Sequence, residues 1–128
     1  MSIELSPFRL GLLITEKCNI ECKHCWFESG PQKEATMTPE EIRKYINEAH
    51  RTRSIKWISL TGGEPTLFPE LVEKSIELAT SYRLKTELVT NCYWAETEYK
   101  AIKWLRTLRE LGLDTVNISS YDFHQDFI

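Results

Sequence analysis

Hydrophobic and polar positions along the chain switch several times between a strand-like and a helix-like period. Residues 8–15 are rich in branched apolar side chains without clean alternation, as in a strand buried on both faces. A cysteine-rich segment follows, to about Glu34. Thr38-Pro39-Glu40-Glu41 then combines three helix-start signals: a Thr cap, Pro in the first turn, and Glu three residues after the cap. Ile42, Tyr45, Ile46 and Ala49 continue at helical spacing, and the alternation of Ile55-Lys56-Trp57-Ile58-Ser59-Leu60 predicts a second strand stopped by Gly62-Gly63. Phe68, Leu71, Val72, Ile76 and Ala79 mark a second helix, and Leu84 to Thr90 a third strand. Ala101, Ile102, Leu105, Leu108 and Leu111 mark a third helix with Gly112 at its C-terminal end, before a fourth strand over Leu113 to Ser119.

Strands alternating with helices predict an α/β fold with parallel strands and right-handed crossovers. Functional groups in such folds collect in the loops after the C-terminal ends of the strands. Here those loops hold the cysteine cluster, Thr61-Gly62-Gly63-Glu64-Pro65, Thr90-Asn91-Cys92, and Ser119-Ser120-Tyr121-Asp122-Phe123-His124. All four should share one rim.

Composition narrows the function classes. The 128 residues suit one domain over 1–128, large enough for a core and small for a complete barrel enzyme. A net charge of -3, with Arg51, Arg53 and Lys56 interleaved among acids, lacks the basic face that nucleic acid requires. No apolar run approaches the roughly 20 residues of a membrane span, and no secretory signal is recognisable at the N-terminus. The expected location is cytoplasmic, where clustered cysteines are more often metal-binding or catalytic than disulfide-forming.

Three of the 4 cysteines, Cys18, Cys22 and Cys25, are spaced Cys-x3-Cys-x2-Cys. Thiolates are soft ligands for Fe–S clusters, zinc or Cu(I). Three close thiolates can wrap three corners of a cubane and leave the fourth iron open. A structural zinc site wants four ligands, which His24 or Cys92 could complete, and inert core thiols are a third reading.

The same residues resemble the signature of the radical S-adenosylmethionine (radical SAM) enzymes, including the ring of His24 before the last cysteine. Thr61-Gly62-Gly63-Glu64-Pro65 is similar to a second motif of that family, in the right order and after the second strand. The resemblance covers about Phe8 to Asp122. It implies a (βα)n partial TIM-like barrel, of which about four strands are present here. It also implies a 4Fe-4S cluster held by Cys18, Cys22 and Cys25, whose open iron chelates S-adenosylmethionine. Reductive cleavage would then yield a 5'-deoxyadenosyl radical that abstracts hydrogen from substrate. The protein would supply ligation, orientation and exclusion of water.

By the same resemblance, His24, Gly62, Gly63, Glu64, Pro65, Asn91 and Ser120 are cofactor-binding residues. Gly62 and Gly63 would lie against the methionine ammonium, Glu64 would add a charge-assisted hydrogen bond, and Ser120 would face the cofactor. No catalytic residue beyond the cofactor ligands is expected, with Asp122 and His124 as weak candidates for proton exchange. Thr90-Asn91-Cys92 departs from the family's Thr-Asn-Gly, and Cys92 reads as a small buried side chain. Trp57 and Trp104 read as packing residues, Trp26 and Trp94 as rim residues. The Ser120-Tyr121-Asp122 segment resembles the peptide-modifying and molybdenum-cofactor branches, which suggests a peptide substrate and requires a reducing electron donor.

The family's barrel continues to six strands, so the expectation is a truncated domain, or a dimer or partner chain covering the open sheet edge. Two rival functions stand beside the enzyme: a non-catalytic Fe–S module or electron carrier, and a zinc-stabilised interaction domain.

Overall fold

The computed structural model describes residues 8–15, 35–91 and 97–118. Strands β1 (Arg9–Thr15), β2 (Trp57–Gly62), β3 (Lys85–Thr90) and β4 (Thr115–Ile118) alternate with helices α1 (Pro39–Arg51), α2 (Pro69–Ser81) and α3 (Glu98–Leu111). The strands form one sheet in the order β1-β2-β3-β4, with every adjacent pair parallel. Each right-handed crossover therefore steps one place in the same direction, which puts all three helices on one face, as in a barrel wall.

Burial follows this one-sided arrangement. Leu12 and Ile14 of β1, Ile58 and Leu60 of β2 and Leu88 of β3 form one apolar cluster with Ile42, Ile46 and Ala49 of α1, Val72, Ile76 and Ala79 of α2, and Leu108 of α3. Period-2 strands present alternate side chains to the helices, and the period-3.6 helices return one stripe to the strands. Tyr45 and Ile102, which fall at core spacing in the sequence, are exposed. Their helices bury a narrower stripe than the apolar pattern predicts.

The opposite sheet face is mixed, with charged groups at one end and an exposed Leu13 towards the other. Arg9, Trp57 and Lys85 occupy one row across three strands. The Arg9 guanidinium lies 5.0 Å and the Lys85 ammonium 5.4 Å from the Trp57 ring centroid. Arg9 also pairs with Glu87, reaching across β2 from one neighbouring strand to the other. Trp57, expected to be a packing residue, is half-buried between two cations, whereas Trp104 packs partly against the apolar cluster.

Local chemistry sets the element ends. Thr38 accepts from the Glu41 amide, and the Glu41 carboxylate accepts from the Thr38 amide, closing a capping box at the start of α1. Gly112, at φ 117°, ends α3 in the left-handed conformation expected there. The fourth strand begins at Thr115 rather than Leu113. The Leu113 amide donates back to the Leu108 carbonyl and so serves the helix exit, whereas Asp114 already bonds to Thr86 of β3, its amide donating to the Thr86 carbonyl and its carboxylate accepting from the Thr86 amide. β2 runs through Gly62 instead of stopping before it, because Gly62 still pairs with Thr15, although the register shifts between Leu13 and Thr15.

Candidate functional site

A parallel sheet brings the C-terminal ends of its strands to one edge, and here three of those ends are joined by a continuous set of hydrogen bonds. The first end is Thr15, where the cysteine-bearing segment leaves β1. Thr15 forms an antiparallel bridge with Thr36. Its hydroxyl donates to the Ala35 carbonyl at 3.1 Å and shares a 2.8 Å hydrogen bond with the Thr36 hydroxyl. The Met37 amide donates to the Ile14 carbonyl at 2.8 Å. The described residues that flank the cysteine segment, Thr15 and 35–37, are therefore tied together at one strand terminus and form its neck. Cys18, Cys22, His24, Cys25 and Trp26 fall within it, outside the described residues.

The second end is the glycine pair. Gly62 has φ 122°, a left-handed-side conformation that side chains resist. A Cβ there would sit 2.5 Å from the Thr15 carbonyl oxygen. The sequence suggests that the missing Cβ admits a cofactor; the group it visibly admits is the backbone of β1. The Gly63 amide then donates to that same carbonyl at 2.7 Å. The neck of the cysteine segment and the Gly-Gly segment are thus in direct backbone contact.

Glu64 links this corner to the third strand end. Its side chain is 1% exposed, and its carboxylate accepts from four donors. Oε2 accepts from the Thr66 amide at 3.1 Å, from the Thr66 hydroxyl, and from the Thr90 hydroxyl at 2.8 Å. Oε1 accepts from the Asn91 amide at 2.7 Å. Burial pushes the carboxyl above its ordinary value, and the four donors pull it back only in part. Pro65 opens a short 3-10 turn, Pro65–Leu67, which Glu64 caps through the Thr66 amide.

Of the residues expected at the site, Gly62, Gly63, Glu64, Pro65 and Asn91 lie together on this rim. Ser120, Asp122 and His124 lie outside the described residues, as do Cys92 and Trp94. Thr15, Thr36 and Thr66 take part in the rim without having been singled out by the sequence, and Thr90 was named there only as part of the Thr90-Asn91-Cys92 segment. Thr66 carries a weak local signal, a hydroxyl two residues after an acidic cap. Thr15 and Thr36 carry none, since they meet only through the fold. Among the described residues no group of three His, Cys, Asp or Glu side chains is placed to hold a metal ion. No helix there is long and apolar enough to cross a membrane.

Comparison with known proteins gives the family and the fold. The family model described as Radical SAM superfamily matches residues 12–127. The chain is 28% identical over 119 residues to YydG of Bacillus subtilis, a peptide biosynthesis protein by name, covering 93% of this chain and 37% of that protein. It is 39% identical over 110 residues to a Pyrococcus abyssi protein named as a GTP 3',8-cyclase, covering 86% of this chain and 33% of that one. The chain thus spans about a third of the length of these relatives. Among solved structures, BtrN in an open conformation superposes with a TM-score of 0.67 at 24% identity, over 93% of this chain and 52% of BtrN. BtrN in complex with AdoMet and 2-DOIA gives 0.66 at 23% identity, over 95% and 50%. Both show the same fold, that of a partial TIM-like barrel wall.

Proposed function

The chain belongs to the radical SAM superfamily, and from that premise we propose that it forms the cluster-bearing part of a radical SAM enzyme. The superfamily implies a 4Fe-4S cluster and S-adenosylmethionine as cofactors. In this reading Cys18, Cys22 and Cys25 hold the cluster, and the Gly62-Gly63 backbone, Asn91, His24 and Ser120 hold S-adenosylmethionine. When bound, these groups supply a 5'-deoxyadenosyl radical that abstracts hydrogen from substrate.

The observation that carries the proposal is the contact between the neck of the cysteine segment and the glycine pair. Gly63 donates to Thr15, and Gly62 packs on it too closely for any side chain. Thr15, the last described residue before the cysteine segment, therefore sits against the glycine pair at one corner of the rim, which supports a site that draws on both motifs. The donor chemistry also fits. Three thiolates suit a soft iron cluster, and a glycine pair leaves backbone oxygens open to an ammonium group. The chain's own part is to ligate, to orient and to keep water from the reacting atoms.

For the substrate, the name of YydG supports a peptide. A second reading, a purine nucleotide, is favoured by the higher identity to the Pyrococcus abyssi protein. A reducing electron donor is required in either case.

Anaerobic reconstitution of the full-length protein tests the proposal. The expected result is a brown protein with iron and sulfide but no zinc, releasing 5'-deoxyadenosine from S-adenosylmethionine under a strong reductant. Peptide and GTP added in parallel separate the two substrate readings by which one becomes modified. Colourless protein holding one zinc would favour an interaction domain, and a stable cluster without 5'-deoxyadenosine an electron carrier. Replacing Cys18, Cys22 and Cys25 with Ala and finding unchanged iron would overturn the proposal.

A further inference from the structure

Glu64 looks at first like a charge held ready for a cationic ligand, but both of its oxygens face protein donors. We infer that Glu64 is a positioning residue: its carboxylate fixes Thr90 and Asn91, at the end of β3, to the Gly62-Gly63 corner, and it acts on S-adenosylmethionine through Asn91 rather than by touching it. The inference rests on the proposed function, and it assigns the residue a different part in the site.

The geometry carries the claim. Four donors from two different strand ends converge on one buried carboxylate, two of them backbone amides. The Thr66 amide belongs to the turn after β2 and meets Oε2; the Asn91 amide follows β3 and meets Oε1. Hydroxyl donors can rotate and become acceptors, but a backbone N–H cannot. Only a group with an acceptor at both positions satisfies both amides, and a carboxylate is the side chain that has one. A glutamine places its amide nitrogen at one of the two oxygens in either orientation, and there it faces a backbone donor in a buried site. The side chain is 1% exposed, so water cannot relieve that clash. An aspartate is one methylene shorter and cannot hold both donors at hydrogen-bonding distance.

The linkage runs further. Gly63, adjacent to Glu64, donates to Thr15 at the neck of the cysteine segment. One carboxylate thereby sets the spacing between the third strand end and the corner where Thr15 meets the glycine pair. Asn91, itself buried, is held through its backbone.

Two measurements on the full-length, reconstituted protein test this. The first is amide hydrogen exchange without S-adenosylmethionine. In Glu64→Gln the amides of Thr66 and Asn91 should exchange at least roughly tenfold faster, while those of α1 and α2 hold their rates. The second is equilibrium binding of S-adenosylmethionine to Glu64→Gln, the milder Thr90→Val, and the double variant. Iron content should be unchanged in all three. Binding should weaken about tenfold in Glu64→Gln and about threefold in Thr90→Val, with the double variant no worse than Glu64→Gln, as expected of residues acting as one unit. Losses that multiply in the double variant, or unchanged exchange at Asn91 beside a binding loss, would mean Glu64 meets the ligand directly and would overturn the inference. If the wild-type protein binds no S-adenosylmethionine, the functional reading fails on its own, and the exchange data still decide whether Glu64 braces the end of β3.

Discussion

A single methyl group at residue 62 would decide whether β1 and β2 can close at the rim. Gly62→Ala places a Cβ 2.5 Å from the Thr15 oxygen and strains a φ of 122°. The expected cost is about 2–3 kcal/mol, seen as a lower urea midpoint with an unchanged m-value. Glu64 gives a residue-scale prediction with a definite sign. Its folded carboxyl is raised above the ordinary value of 4.5 because burial outweighs its donors. The stability that this titration contributes is full below about 4.5 and is lost as pH rises through the folded value. Thermal melts of wild type against the non-titrating Glu64→Gln should therefore show the gap narrowing as pH rises above 4.5. A gap that widens would show the donors to outweigh burial.

Helix and strand ends test the element scale. Thr38→Ala removes one half of the capping box at α1 and should cost about 1 kcal/mol, while Glu41→Ala removes the other half at a smaller cost. Gly112→Ala should cost more than either, because a Cβ there would run into the Thr80 side chain at φ 117°. Both ends were legible in the sequence, since a cap is built from residues a few positions apart. The start of β4 was not. Leu113 has the same character inside a strand as at a helix exit, and only its hydrogen bond to Leu108 assigns it to the latter. The 3-10 turn Pro65–Leu67 was hidden for a similar reason, being capped by a carboxylate that other donors also claim.

At the scale of the whole chain, one apolar cluster between the helices and one sheet face holds the structure together. Ile76→Ala, at a fully buried position, should cost about 3–4 kcal/mol by calorimetry. Ile102→Ala, of equal apolar character but 42% exposed, should stay within about 0.5 kcal/mol. The opposite face makes a weaker contribution. Arg9→Ala removes a pair with Glu87 whose arginine side chain is 43% exposed, so the loss should not exceed roughly 1 kcal/mol and should shrink in salt.

From the sequence alone came the alternation of strands and helices, the caps, the cysteine spacing and the glycine pair. Each is written in neighbouring residues or in a local period, and periodicity of 2.0 or 3.6 survives without knowledge of the fold. Tertiary structure alone decided that Thr15 meets Thr36 and Gly62, that Glu64 turns inward to Thr90 and Asn91, and that Trp57 lies between Arg9 and Lys85. Those pairs stand between 21 and 48 positions apart in the chain and become neighbours only once strand pairing sets the register. Hydrogen bonds and close packing act over a few ångströms, so which groups they join depends on that register rather than on the order of the chain.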